Sequence, residues 1–333
     1  LLIILIYRKW RVSMKTAYVL AGVPGAGKST YAKKLNLPHF SSDAIRLELF
    51  GSLRHHHTKE DDEMVFNILH DRVFNYHDSL IFDATNIDRI TRISLYNELK
   101  KRGFKVEIHM VLEPLELALY QNQRRDFEKI VPDFVIKDKY KFMVAPRVGV
   151  DCDAYKIISQ SKFLKRKTDY SEFVHFAKTN GITKTIYEYI NAAYLQEFEH
   201  IDAPHETPYH LESLSEHINM CIQNADDDLM LISAILHDLG KPLAKEGGHY
   251  KGHDTISSIY AIRFFDEVKN IPTHIKPADV VEIVVQHMLA HKNLPQKSLE
   301  RNKISEELLN QIYRFRDIDE KSRITNIKQN RRD

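Results

Sequence analysis

Thr-Ala-Tyr-Val-Leu-Ala-Gly-Val-Pro-Gly-Ala-Gly-Lys-Ser-Thr, residues 16–30, decides the fold of the first half of the chain. Residues 16–20 read as a short buried strand. They run into a turn where Gly22, Gly25 and Gly27 let the backbone bend tightly and aim its N–H groups inward. A helix then begins at Lys28. Inward amides and a helix N-terminus at the carboxyl end of a strand make a site for phosphate oxygens. The spacing Gly-x-x-x-x-Gly-Lys-Ser adds an ammonium group, Lys28, within reach of the β- and γ-phosphates, and a hydroxyl, Ser29, for Mg²⁺. Gly22, Val23, Pro24, Gly25, Ala26, Gly27, Lys28, Ser29 and Thr30 are therefore expected to hold ATP with Mg²⁺.

Working outward, the pattern predicts further strands at 37–40, 79–82 and 104–112. Between them it predicts helices from 42, at 59–76, 89–101, 116–125 and 133–143. Alternation of this kind implies a parallel sheet with crossover helices. After Pro146 it stops. Residues 151–203 read as a helical connecting segment, with a basic stretch at 162–167 and an amphipathic pattern at 186–198. From 204 onward helices and loops remain, without strong strands. The expected fold is an α/β P-loop domain over 14–150 followed by an all-α domain over 204–325, with a tail at 326–333.

The 333 residues suffice for two domains. A net charge of +2 excludes a global basic field, so any nucleic-acid surface must be local. The two cysteines, Cys152 and Cys221, lack C-x-x-C spacing, which suggests a reducing compartment and a cytoplasmic protein. The apolar run 1–6 is too short to span a bilayer. Its charges, Arg8, Lys9 and Arg11, follow it rather than precede it, unlike a signal peptide. Residues 1–13 read as an upstream extension before Met14, and no membrane association is expected. His55, His56 and His57 read as a solvated loop.

Four groups around the loop carry candidate chemistry. Asp83 ends the strand 79–82 and opens Asp-Ala-Thr-Asn. It either faces the P-loop near Mg²⁺, or it or Thr85 caps the next helix. Asp43 and Arg46, three residues apart on a helix, share a face. They read as a base for an attacking hydroxyl and a forked contact to a substrate phosphate, or as a cap and a surface arginine. Arg124 and Arg125 precede Val131-Pro132 and read as a lid cation or a solvated pair.

In the second half, His237-Asp238 ends an apolar helix and precedes Gly240-Lys241-Pro242. Adjacent imidazole and carboxylate at a helix end can share one divalent ion, with His217 upstream and Asp319 or Asp317 downstream as further ligands. Such a mixed set suits Mn²⁺, Ni²⁺, Co²⁺, Fe²⁺ or Mg²⁺ more than a thiolate zinc site.

Pro-Gly-Ala-Gly-Lys-Ser-Thr (24–30), Ser-Asp-x-x-Arg (42–46), Ile-Phe-Asp-Ala-Thr-Asn-x-x-x-x-x-Arg (81–92), Arg124-Arg125 and Val131-Pro132 together resemble the polynucleotide 5′-kinase branch of P-loop kinases, phage enzymes included, over about residues 14–146. The resemblance implies Asp43 as base for a 5′-hydroxyl, Arg46 on the phosphate 3′ to the acceptor nucleotide, and Arg125 as lid arginine. Gln121 stands where the phage kinases carry arginine, and small-molecule kinases share the loop and the aspartate. His210-x₆-His217, Leu-His-Asp-Leu-Gly-Lys-Pro (236–242), Tyr-Lys-Gly-His-Asp (250–254) and Val-Gln-His-Met (285–288) resemble the HD phosphohydrolase superfamily, particularly the HD domains of CCA-adding enzymes and RNA-end phosphoesterases, over about 204–325. This implies a metal held by His217, His237, Asp238 and Asp319, the last preferred because Asp-x-x-x-Arg matches the family's final helix. It implies His253 and His287 either as holders of a second metal or as substrate-contacting or surface histidines, a cation near phosphate from Lys241, His210 behind the ligands, and His249 and His291 at the periphery.

Joined, the two resemblances imply an enzyme that heals RNA or DNA ends for a ligase. It would be an ATP-dependent 5′-hydroxyl kinase with a Mn²⁺-, Ni²⁺- or Co²⁺-dependent phosphoesterase acting on 3′-phosphate or 2′,3′-cyclic phosphate. The alternatives are a small-molecule or nucleoside kinase fused to a nucleotide phosphohydrolase, and a nucleotide-regulated switch whose HD half only binds.

Overall fold

The computed structural model describes residues 14–53, 58–205 and 210–324. The extension 1–13, His55 to His57 and the tail 326–333 lie outside the described residues. The N-terminal unit is an α/β domain around a five-stranded parallel sheet of order β2-β3-β1-β4-β5. Its strands are β1 (Thr16–Ala21), β2 (His39–Ser41), β3 (Leu80–Asp83), β4 (Lys105–Val111) and β5 (Ala154–Ile158). Every residue of β3 is buried, as continuous apolar runs covered on both faces must be. The helices are α1 (Lys28–Leu35), α2 (Ser42–Phe50), α3 (Lys59–Phe74), α4 (Arg89–Lys101), α5 (Leu115–Gln123) and α6 (Asp133–Lys141).

β5 corrects the expectation that the alternation ends near 150 and that 151–203 is helical. Ala-Tyr-Lys-Ile-Ile pairs in parallel with β4, Ile108 opposite Tyr155. It is an edge strand whose residues are half-buried or exposed, so its sequence lacks the apolar run that marks a central strand. The basic stretch 162–167 forms no helix. The pattern at 186–198 is broken as well: a helix ends at Tyr189, Ile190 bridges to Leu164, and Asn191 caps a separate 3₁₀ segment, Ala192–Phe198.

The rest is helical: α7 (Tyr170–Asn180), α8 (Ile182–Tyr189), α9 (Leu214–Asn224), α10 (Asp228–Leu236), α11 (Lys241–Ala244), α12 (His253–Glu267), α13 (Pro277–Ala290), α14 (Gln296–Arg301) and α15 (Glu306–Lys321). From Met230 to Leu236 every residue of α10 is buried, so this helix is the centre of the bundle rather than a surface helix. The Asp227 carboxylate accepts from Met230 N at 2.8 Å and starts it.

The two units share one hydrophobic core, in which Leu115, Ile136 and Tyr140 join Phe198, Tyr260 and Phe264. Polar ties cross it. Buried Arg89 donates to both Glu282 oxygens at 3.0 and 2.9 Å and to the Ala145 carbonyl. Glu197 accepts from Leu115 N at 2.6 Å and from the hydroxyls of Tyr140 and Tyr260. Arg92, which closes the 81–92 motif, is fully buried. It donates to Asp151 and to the carbonyls of Asn86, Ile87 and Val144, which makes it a tie within the α/β domain rather than a cleft residue.

Candidate functional site

The loop 22–27 leaves β1 and meets α1 with Gly27 at φ 96°. Gly25, at φ 84°, lies so close to α5 that a Cβ would stand 2.1 Å from the Ala118 carbonyl oxygen, so no side chain fits there. The loop is tied to the segment after β3 by Gly22 N donating to Thr85 O at 2.9 Å. Lys28 Nζ donates to Gly22 O and Val23 O at 2.8 and 3.1 Å. Burial lowers the Lys28 pKa, the carboxylates of Asp83 and Asp43 oppose that, and the charges of Arg125 and Lys139 add to it.

These groups line one cleft of about 1270 Å³. Gly25, Gly27, Lys28, Ser29 and Thr30 form its floor. Asp43 and Arg46 line it from α2, Arg125 from the segment after α5, and Lys139 from α6. Val23 and Ala26 are buried behind the loop. Arg124 is not part of the lining; its guanidinium lies over the Tyr120 ring and donates to that hydroxyl. Asp83 is buried in the cleft floor. It does not cap the following helix, because Asp88 does so, accepting from Thr91 N at 2.7 Å. Arg46 donates to Asp62 at 2.7 Å and lies 3.8 Å from Asp43. The Asn122 amide brackets Val131 by donating to its carbonyl at 2.7 Å and accepting from its N–H at 3.1 Å. That closes residues 123–130 into a loop over the cleft.

Sequence reasoning missed three groups here. His39 donates to Asp83 Oδ2 at 2.9 Å from the neighbouring strand. Asp62 and Lys139 reach the cleft from α3 and α6. None of the three sits in a spacing that marks it.

The second centre is built around Asp238, which follows α10. Its Oδ2 lies 3.2 Å from His237 Nε2, 3.4 Å from His217 Nε2 and 2.6 Å from Lys241 Nζ. Its Oδ1 faces His253 Nε2 at 3.2 Å and His287 Nε2 at 3.5 Å. Asp319 Oδ1 lies 2.9 Å from His217 Nε2, whereas Asp317 is exposed and pairs with Arg316. The structure thus gathers His217, His237, Asp238, Asp319, His253 and His287 in one buried place.

The imidazoles are pre-oriented. Nδ1 of His217, His237, His253 and His287 contacts the carbonyl of Ser322, Ala234, Tyr250 and Val284, respectively. A carbonyl only accepts, so each Nδ1 carries a proton and each Nε2 is turned inward toward the centre. His253 Nε2 and His287 Nε2 face each other at 3.2 Å. His237 Nε2 and Asp238 Oδ1 are buried without a hydrogen bond. Converging ring nitrogens and orphaned ligand atoms fit divalent metal. Two donor groups are distinguishable, one of His217, His237, Asp319 and the Cys221 thiol, the other of Asp238, His253 and His287. Burial alone would raise the Asp238 pKa, but His237 and Lys241 hold it well below the ordinary carboxylate value. Burial keeps His287 low, as a neutral ligand requires, whereas Cys221 and Asp319 outweigh burial and push His217 up to about 9, and Asp238 outweighs it and raises His237.

Other histidines depart from expectation. His291 is not peripheral: its Nε2 lies 2.6 Å from Asp319 Oδ2, because α13 ends at Ala290 and the chain turns back toward α15. His205, which the sequence did not single out, stacks on His210 at 4.1 Å and accepts from Lys241 Nζ at 3.1 Å. Glu212 holds His210 Nδ1 at 2.6 Å, so His210 stands behind the centre. His249 lies in the turn after α11.

Residues 18–145 match the family model of an AAA domain, and residues 204–315 match that of the HD domain. No curated protein matches the chain. Among solved structures, an unliganded sugar kinase from Janibacter sp. HTCC2649 is 17% identical, with a TM-score of 0.33, over 44% of this chain and 85% of that one. A structure of the PezAT chromosomal toxin-antitoxin system of Streptococcus pneumoniae is 16% identical, with a TM-score of 0.34, over 48% of this chain and 75% of that one. At these TM-scores neither likeness bears on function. No helix among the described residues is long and apolar enough to cross a membrane. The chain carries a P-loop kinase-like α/β domain, whose type implies ATP with Mg²⁺, followed by a helical region with an HD domain, whose type implies divalent metal.

Proposed function

We propose that the chain heals nucleic-acid ends, RNA above all, by two reactions: ATP-dependent phosphorylation of a 5′-hydroxyl, and metal-dependent hydrolysis of a 3′-phosphate or 2′,3′-cyclic phosphate. The observation that carries the first reaction is that Lys28, Arg125 and Asp43 line one cleft, close enough for the charges of Asp43 and Arg125 to act on Lys28. Asp43 takes the proton of the acceptor hydroxyl, whose oxygen bonds to the γ-phosphorus as the bond to the ADP oxygen breaks. Lys28 and Arg125 neutralise charge on the transferring group. Ser29 and Asp83 would hold Mg²⁺, with His39 fixing the Asp83 carboxylate.

In the HD centre, His217, His237, Asp238 and Asp319 would hold one metal, and His253 and His287 a second that shares Asp238. Divalent metal supplies Lewis acidity and a more acidic water there. Lys241 is engaged by Asp238 and His205, so it orients that carboxylate rather than projecting toward a phosphate. Mn²⁺, Ni²⁺ or Co²⁺ suits this donor set. The healed ends would suit a nucleic-acid ligase, and the cytoplasm supplies the ATP and RNA that both reactions need.

One observation favours a second reading. Arg46 is already neutralised by Asp62 and Asp43, which weakens its claim on a substrate phosphate and favours a small acceptor such as a nucleoside or sugar. Transfer of labelled phosphate from ATP to 5′-hydroxyl RNA, 5′-hydroxyl DNA, nucleosides and sugars separates the two. Transfer to oligonucleotides is expected; transfer to small alcohols alone rejects end healing.

A further inference from the structure

Both histidines of the second metal position are attached to the kinase-like domain, by separate routes. The first route is α6. Its residue Lys139 lines the phosphate cleft without an ion-pair partner among the described residues. Two residues on, the Lys141 carbonyl accepts from the Thr255 hydroxyl. Gly252, at φ 87°, is packed so tightly there that a Cβ would lie 2.6 Å from the same oxygen. His253 follows directly. Ala145 N also donates to Ser258 Oγ, one turn further along α12, at 3.3 Å. A helix of this length spans about 13 Å, so one rigid rod connects the wall of the cleft to the start of the helix that carries His253.

The second route begins at the P-loop. Gly22 N is held by Thr85 O, and the Asn86 amide donates to Leu20 O at 2.7 Å. Arg89, three residues on, forms the buried pair with Glu282 of α13. His287 lies five residues further along that helix. The first metal position differs. Among the described residues, no hydrogen bond or ion pair of α9, α10 or α15 reaches residues 14–158.

We propose that Lys139 is an additional phosphate-binding cation of the kinase cleft, and that a triphosphate gripped there and at the P-loop resets the second metal position through α6 and α13 while leaving the first unchanged. The proposal rests on the two-reaction reading above. It makes the HD half responsive to the nucleotide state of the kinase half, and linkage requires the converse. Coordinated helices suit the task because packed elements move as bodies rather than deforming continuously.

Hydrogen exchange on the full chain tests it, at constant Mg²⁺, with and without adenylyl imidodiphosphate, a non-hydrolysable ATP analogue. In the wild type, exchange at 252–262 and 283–290 is expected to slow about threefold or more, with 215–224 and 230–236 unchanged. Lys139→Met should bind the analogue roughly tenfold more weakly and, at saturation, lose the response at 252–262. Thr255→Val should bind it as the wild type does yet lose the same response. An analogue that binds but leaves 252–262 and 283–290 unaltered overturns the coupling and spares the P-loop reading. Lys139→Met binding and responding as the wild type overturns the phosphate role of Lys139. Failure of the wild type to bind the analogue overturns both this proposal and the kinase reading.

Discussion

Asp43 shows what a single side chain contributes here. It stands in the first turn of α2, half-exposed, and lines the same cleft as Lys28. Asparagine there keeps the shape and removes the base. Asp43→Asn is expected to lower phosphoryl transfer by about 10²–10⁴-fold while leaving metal-dependent hydrolysis unchanged, as measured by parallel transfer and phosphoesterase assays on one preparation. Loss of both activities would contradict two separate centres. At this scale the Gly-Lys-Ser loop and the His-Asp pair were legible because their ligand atoms come from a few consecutive residues. His39, Asp62, Lys139 and His205 were not. Each reaches its centre from an element distant in sequence, and an isolated histidine or lysine carries no spacing to read.

Among elements, the loop 123–130 between α5 and α6 depends on one amide. Asn122 is fully buried and satisfies both polar groups of Val131. Alanine there removes the partner of two half-buried backbone groups, each at a cost of up to about 1–3 kcal/mol less what water restores. Asn122→Ala is expected to loosen the segment that carries Arg125. The KM for ATP should rise and kcat fall, and protease cleavage within 123–130 should quicken, with the sheet intact by circular dichroism. Strands β1, β3 and β4 were readable from their apolar runs. β5 was not, because an edge strand is covered on one side only and its residues mix Tyr, Lys and Ile. The 186–198 pattern failed for a related reason: its apolar positions serve two short segments that meet at Asn191 rather than one helix face.

At the scale of the whole molecule, Glu197 joins α5, α6 and α12 at the junction of the two units. Burial raises its pKa from 4.5 to about 7, although hydrogen bonds from Tyr260, Leu115 and Tyr140 pull it back. A group whose folded pKa lies above its unfolded value contributes stability that is complete below the unfolded pKa and lost as pH rises through the folded one. The shift corresponds to roughly 3 kcal/mol. Stability against denaturant should therefore fall between about pH 4.5 and pH 7 on account of this residue. Glu197→Gln is expected to flatten that part of the profile and to be the more stable form at pH 8, as checked by urea titrations across the range. An unchanged slope would mean that the carboxyl group is not held protonated in the fold.

The sequence by itself determined the local chemistry: a phosphate loop between a strand and a helix, a histidine–aspartate pair at the end of an apolar helix, and the order of an α/β unit before a helical one. These follow from spacing and periodicity, which act over a few residues. Only the tertiary structure decided which histidines share Asp238, that Asp319 rather than Asp317 faces His217, with His291 beside it, and that Arg46 is occupied by Asp62. It also decided that α6 and α13 tie one centre to the other. These are contacts between residues tens to hundreds of positions apart, and packing alone brings them within hydrogen-bond distance.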